Sequence, residues 1–143
     1  MASPVFNTFM KVATRINITL YRLSKGKFAN RIGTLPILLI TTTGKKSGKQ
    51  RTTPVVFIQD GEDYTIAGSV GGMGWNPAWY HNLKSNPQAQ IEVGDKTMNV
   101  KAIFTEGEER TRLYEQFKAA GENFVQYEQR TDRVIPVIRL RPM

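Results

Sequence analysis

The sequence predicts an α+β domain: a small, mainly antiparallel β-barrel of about six strands with flanking helices. Leu35 to Thr43, Arg51 to Gln59 and Tyr64 to Val70 are consecutive β-rich runs with short connections, which makes an antiparallel meander. Gln90 to Val93 and Thr97 to Thr105 form a further pair around the turn Gly94-Asp95, and Val134 to Leu140 is a last strand. Helical patterning is confined to the start, the middle and the region before that last strand, with no βαβ rhythm. A chain of 143 residues, 40% hydrophobic and 10% aromatic, can bury one core and is too apolar for disorder. Residues 1–30 are expected to form an N-terminal amphipathic helix and linker, and residues 31–143 the barrel domain.

Taken in order, residues 3–24 begin with Ser3 as an N-cap and Pro4 at the first helical position. Val5, Phe9, Val12, Ile16, Leu20 and Leu23 recur at three- and four-residue steps as one apolar stripe, and Lys11, Arg15, Arg22 and Lys25 are the charges. Such a helix either packs on the domain with a solvated face or lies on an anionic membrane, and the pattern leaves both open. Asp60-Gly61 turns the chain into the third strand. After GSVGGMGW, Asn76 can cap a helix that starts at Pro77 and runs through Trp79, Tyr80 and Leu83 to Asn86-Pro87. In the strand after Gly94-Asp95, Met98, Val100, Ala102 and Phe104 mark one buried face. Glu106 to Ala120 is a helix that Gly121 ends. Phe124 and Tyr127 sit three apart on one more helical turn, and Pro136 suggests that the last strand is an edge or carries a bulge.

The net charge of +8 implies an anionic partner, and nucleic acid, an acidic membrane and a phosphorylated small molecule all fit. The cations concentrate in TTTGKKSGKQRTTP, where Lys45, Lys46, Lys49 and Arg51 surround a glycine-bearing turn. Glycines there can aim backbone N–H groups into one concavity, so the loop reads as an anion cradle or as an ordinary solvated hairpin. A second anion-facing feature is the glycine-rich strand exit that leads into the Trp79 helix. With no cysteine and the single His81, no metal site is expected, and a Ser–His–Asp triad has no support. Ser47 and Ser69 lack a neighbouring base, and Glu106, Glu108 and Glu109 are explained by a helix start. Cations clustered on one loop, with Phe57 and Tyr64 isolated, argue against a nucleic-acid surface. No signal peptide or membrane span is evident, so a cytoplasmic protein is expected, either a monomer or a weak homodimer. A domain with anion cradles and no catalytic set of its own most naturally borrows its chemistry from a cofactor.

Three stretches carry a resemblance: LPILLITTTGKKSGKQRTTPVVFIQDGEDYTIAGSVGG, WNPAWYHNLKSNP and RTDRVIPVIRL. Together they resemble the deazaflavin-dependent nitroreductase family, the reductases of actinobacteria that use reduced coenzyme F420. The resemblance spans about Leu35 to Leu140 and implies a split β-barrel related to the flavin-nucleotide oxidase fold. It also implies a polyanionic cofactor, a deazaflavin whose ribityl chain carries a phosphodiester and a glutamate tail. By the same resemblance Lys45, Lys46, Ser47, Arg51, Thr52, Thr53, Pro54, Val55 and Val56 hold the phosphate, tail and ring edge. Ala67, Gly68, Ser69 and Val70 would reach the ring, and Ala78, Trp79, Tyr80, His81 and Asn82 would close the site. The implied reaction is hydride transfer from the reduced ring to an electrophilic acceptor, with Ser69 and Tyr127 as catalytic candidates.

Departures from the family narrow the acceptor. Where the nitroimidazole-activating member has tyrosines, this chain has Val56, Gly121 and Phe124, and a phenyl ring cannot donate a hydrogen bond. A pocket made by Val56, Phe124 and Tyr127 therefore favours quinones or conjugated lactones of the coumarin and aflatoxin type, and weighs against nitroimidazole activation. A membrane quinone would give the basic N-terminal helix a purpose at the inner face of the cell membrane. An FMN- or haem-binding split barrel is the rival reading on the same architecture.

Overall fold

The structure, a computed structural model, describes residues 4–32, 34–69 and 72–143. Its elements run α1 (Pro4–Leu23), β1 (Arg31–Ile32), β2 (Leu35–Thr43), β3 (Gln50–Asp60), β4 (Asp63–Ala67), α2 (Ala78–Ser85), β5 (Gln88–Val93), β6 (Lys96–Phe104), α3 (Gly107–Ala120), α4 (Glu122–Arg130) and β7 (Val137–Pro142). Strands pair antiparallel in the order β2-β3-β4-β7-β6-β5, and β5 returns to β2 to close the split barrel. The two-residue β1 extends one edge of β2.

The run LPILLI is apolar without alternation because β2 is buried on both faces. Leu38 and Ile40 point into the barrel with Ile66, Val100, Ile138 and Leu140, whereas Ile37 and Leu39 pack outside with Tyr21 of α1. Trp79 and Leu83 of α2 belong to the interior cluster. A second outer cluster joins Leu113, Tyr114 and Phe117 of α3 and Phe124 of α4 to Val137, with Val56, Ile58 and Ala67 packed against it. The barrel thus carries α1 and the α3–α4 pair on its outside, on two outward patches that share Val56.

Several local expectations change. β7 begins at Val137 and lies between β4 and β6, so it is neither an edge nor bulged by Pro136. Pro136 precedes the strand, where its missing N–H costs nothing, and its carbonyl accepts from Gly68 N–H at 2.9 Å. β4 ends at Ala67, and Val70 lies outside the described residues. Pro77 occupies the cap position of α2 with no side-chain cap bond, because Asn76 Oδ1 accepts from Arg133 instead. The single turn expected around Phe124 is a nine-residue helix, α4.

α1 docks by an unexpected face. Ser3 and the side chains of Val5 and Phe9 lie outside the described residues. From Val12 on, the apolar stripe faces away from the barrel, with Val12, Ile16, Leu20 and Leu23 between 46% and 78% exposed. The docked face is Tyr21, only 2% exposed, with Ile18 beside it. Its hydroxyl accepts from Gly94 N–H at 2.8 Å and faces the carbonyls of Ile37 and Glu92 at 3.3 Å each. Arg22 adds a 2.9 Å ion pair to Glu92. Gly26, at φ +78°, lies just beyond the end of the helix, and a Cβ there would collide with Gly94 Cα. Helix end and β5–β6 turn therefore meet backbone to backbone, which only glycine permits.

Candidate functional site

One strand organises the site. Thr52 and Thr53 of β3 line a cationic cavity, while Val55 and Val56 a step further on line an apolar one. Trp79 of α2 lines both and forms the divide.

The cationic cavity, about 710 Å³, is bounded by the β2–β3 loop, by Ala78, His81 and Asn82 of α2, and by Lys11 of α1. Lys45, Lys46, Ser47 and Arg51 all line it, and among the described residues no carboxylate does. Its positive charge comes from side chains more than from a backbone nest. Within the loop, Gly44 N–H bonds to Lys49 O, Gly48 N–H to Gly44 O, and Lys49 N–H to Ser47 Oγ. Lys45 N–H is taken by the buried Asn82, whose Oδ1 accepts it at 2.9 Å. Asn82 Nδ2 in turn donates to Thr42 Oγ1 at 3.0 Å, so one amide ties loop, barrel and α2 together. The loop is thereby a shaped frame that carries its cations at fixed points.

The apolar cavity, about 630 Å³, opens between the barrel wall and α4. Val55, Val56, Ala67, Ser69 and Trp79 form the barrel side; Phe117, Phe124 and Tyr127 form the helical side. Phe124 packs its ring 5.2 Å from Phe117 and 5.5 Å from Tyr127. α4 is held in place by Tyr114, whose hydroxyl donates to Phe124 O at 2.7 Å, and by Lys118, which bonds Glu128 at 3.0 Å. Burial pushes the Tyr114 hydroxyl up to about 12, so it stays a donor throughout the physiological range.

Ser69 sits in this cavity on a segment that a half-buried arginine fixes. Arg133 donates Nη2 to Ser69 O, Nε to Met73 O and Nη1 to Asn76 Oδ1, each at 2.8 Å. Partial burial holds its guanidinium below the ordinary range. Gly72, at φ +83°, lets this segment approach α4: a Cβ there would stand 2.9 Å from Tyr127 O.

Most of the residues expected from sequence converge on these two cavities, but not all. Pro54 pairs with Leu39 within the sheet and lines neither. Gly68 spends its N–H on Pro136 O, and Tyr80 turns to Phe104, 5.8 Å between ring centroids. Val70 lies outside the described residues. Conversely, Leu35, Pro77 and Phe117 line the apolar cavity, Lys11 lines the cationic one, and Arg133 braces Ser69, although the sequence singled out none of them for the site. Only RTDRVIP offered a signal, as part of a stretch that carries the family resemblance.

The profile of the F420H(2)-dependent quinone reductase family matches residues 13–142. This chain belongs to that family. An F420H(2)-dependent quinone reductase of Mycobacterium tuberculosis is 38% identical over 130 residues, which is 88% of this chain and 87% of the relative. A solved F420-H2 dependent reductase (FDR-A) matches with a TM-score of 0.68 at 37% identity, covering 78% of this chain and all of that one. A structure described as a domain-swapped dimer matches with a TM-score of 0.70 at 33% identity, covering 97% of this chain and 100% of that one. The protein is therefore an oxidoreductase that depends on F420H2. Its residues fit that cofactor, since a cationic cavity with no carboxylate among the described lining residues adjoins an apolar one and so suits an anionic tail and a flat ring respectively.

Proposed function

We propose that the protein reduces quinones with F420H2, holding the cofactor's phosphate and tail in the cationic cavity and the acceptor against Phe124 and Tyr127. The single observation that carries this reading is the junction at Trp79, where cation-lined and aromatic-lined space share one wall. When bound, the cofactor supplies the hydride. Lys45, Lys46 and Arg51 neutralise the anionic tail, while Val55, Val56 and Trp79 exclude water from one side of the ring. Phe124 and Tyr127 offer aromatic surface to a conjugated acceptor, which stacking orients. The hydride carries both electrons and one of the protons that turn a quinone into a hydroquinone. The other proton comes from the hydroxyl of Ser69 or Tyr127, both of which line the cavity, and is restored from solvent.

Conjugated lactones of the coumarin type are a second acceptor class, because the same lining accepts any flat enone. Anaerobic stopped-flow oxidation of F420H2 against quinones, coumarin lactones and nitroimidazoles tests the reading. Quinones are expected to react fastest and nitroimidazoles slowest; no turnover with any quinone removes the proposal.

α1 supports a peripheral membrane role. Its exposed stripe of Val12, Ile16, Leu20 and Leu23 lies beside Lys11 and Arg15, the arrangement of an interfacial helix. Among the described residues no helix is long and apolar enough to cross a membrane. Co-sedimentation with anionic liposomes is expected for the full chain and is expected to be lost in the triple variant Ile16→Gln, Leu20→Gln, Leu23→Gln. These positions are exposed, so folding is retained, and equal recovery of both proteins ends this part of the reading.

A further inference from the structure

The cationic cavity is not complete without α1. Three of its cations, Lys45, Lys46 and Arg51, come from the β2–β3 hairpin, and the fourth is Lys11, from a helix far away in sequence. That helix is fixed to the barrel at its other end by Tyr21, by the Arg22–Glu92 pair and by the close approach of Gly26 to Gly94. Arg22 Nη2 also comes within 3.5 Å of Thr52 Oγ1, which bonds Thr41 Oγ1 at 2.8 Å. Thr52 itself lines the cavity, so the anchored end of α1 touches the same wall. From Tyr21 back to Lys11 is ten residues of helix, about 15 Å, which carries the lysine well away from the anchored end and into the cavity lining from an element other than the hairpin.

Four cations around a space with no described carboxylate repel one another, and a polyanion relieves that repulsion. The hairpin cations rise next to β3, and β3 leads directly to the apolar cavity, so they serve the charge nearest the ring. Lys11 serves charge further along. We propose that α1 is the second wall of the cofactor-tail site, and that Lys11 binds the glutamate carboxylates of the tail rather than the phosphate. This rests on the cofactor placement given above. It makes cofactor affinity depend on tail length, and it links tail binding to the docking of α1, since coupling between sites is reciprocal.

The test is a fluorescence titration of oxidised F420 species with different numbers of glutamates, and of the deazaflavin chromophore lacking phosphate and tail. Lys11 is solvent-exposed, so Lys11→Gln is expected to raise Kd for a long-tailed cofactor by about two- to fivefold, and Lys11→Glu by more. Neither variant is expected to change the affinity of the tail-less chromophore. Arg15→Gln, one turn along the same helix and outside the cavity lining, is the control and is expected to bind as wild type. Amide hydrogen exchange over residues 10–20 is expected to slow on binding of the long-tailed cofactor in wild type and to slow less in Lys11→Glu. If both Lys11 variants bind every tail length as wild type does while Arg51→Gln binds weakly, the Lys11 assignment is wrong and the cofactor placement stands. An equal loss for the tail-less chromophore also overturns it, because Lys11 would then act through the fold. Wild-type protein that binds no F420 species overturns the cofactor placement itself.

Discussion

Replacing Asn82 isolates the frame of the cationic cavity from its charge. Asn82→Ala removes the acceptor of Lys45 N–H and the donor to Thr42 Oγ1, the two bonds that tie the hairpin loop to α2 and β2. Each is worth about 1 kcal/mol net, so folding stability should fall by about 2 kcal/mol. If all of that energy serves to order the loop that meets the cofactor, Kd rises by at most about thirtyfold. Asn82→Asp separates the two contributions. Its carboxylate still accepts from Lys45 N–H, and the Thr42 hydroxyl can reverse and donate to it, so the loop keeps its frame. It also places a negative charge beside Lys45, Lys46 and Arg51, which should weaken anion binding by about tenfold. Urea denaturation and cofactor fluorescence titration on the same preparations read both quantities. The expected order of stability is wild type, Asp, Ala, whereas both variants bind cofactor worse than wild type. Wild-type affinity in Asn82→Ala would show that the loop organises itself without the amide, and the argument from the frame would fail.

Other perturbations test separate parts of the structure. Arg133→Lys cannot reproduce three divergent hydrogen bonds to Ser69 O, Met73 O and Asn76 Oδ1, so kcat should fall by about tenfold or more with cofactor Kd nearly unchanged; a proportional rise in Kd would refute its role as a brace for Ser69. Phe124→Tyr adds a donor to the apolar cavity and should raise nitroimidazole turnover relative to quinone turnover, read as the ratio of the two kcat/KM values; an unchanged ratio contradicts the acceptor argument. Asp63, buried between Arg141 and Arg139, is held below the usual carboxylate range chiefly by its hydrogen bond to Arg141. A depressed folded-state pKa contributes stability above the unfolded value of about 3.9 and loses it as pH falls through the folded value. The Tm gap between wild type and Asp63→Asn should therefore be full at neutral pH and close below about pH 4; a gap that widens in acid reverses the sign and refutes the linkage.

The barrel was legible because its strands advertise themselves by local means. LPILLI is apolar on both faces, Asp60-Gly61 and Gly94-Asp95 are turn pairs, and Met98 to Phe104 alternates. α1 shows where that legibility ends. Periodicity correctly marked a helix and an apolar stripe, but the stripe is not the docked face. Tyr21 stands about 180° around the helix from Val12, and it was chosen because its hydroxyl has a partner at Gly94 N–H, seventy-three positions away. No window of sequence contains that bond. Arg133 and Lys11 were missed for the same reason, since their value lies in what they reach across the fold. Pro136 misled in the opposite way. A proline inside an apolar run suggests an edge, yet here it stands just before a central strand and contributes only its carbonyl.

The placement of the two cavities also says which parts of the site can vary independently. Thr53 and Val55 are two residues apart on a paired strand, about 7 Å, so on the proposed placement sheet geometry sets the separation between tail charge and ring. Altering it requires a change of register, which would invert every side chain of β3 and destroy the core. The acceptor wall is different in kind. α4 contributes Phe124 and Tyr127 from a nine-residue helix that rests on α3 through Phe124, the Tyr114 hydroxyl and the Lys118–Glu128 pair. Residues on its cavity face can change size or polarity without disturbing any strand pairing. On the proposed placement, cofactor choice is tied to the barrel, whose register the energetics of folding hold, while acceptor choice rests on one short helix whose residues outside the buried Phe124 contact can change without disturbing the sheet.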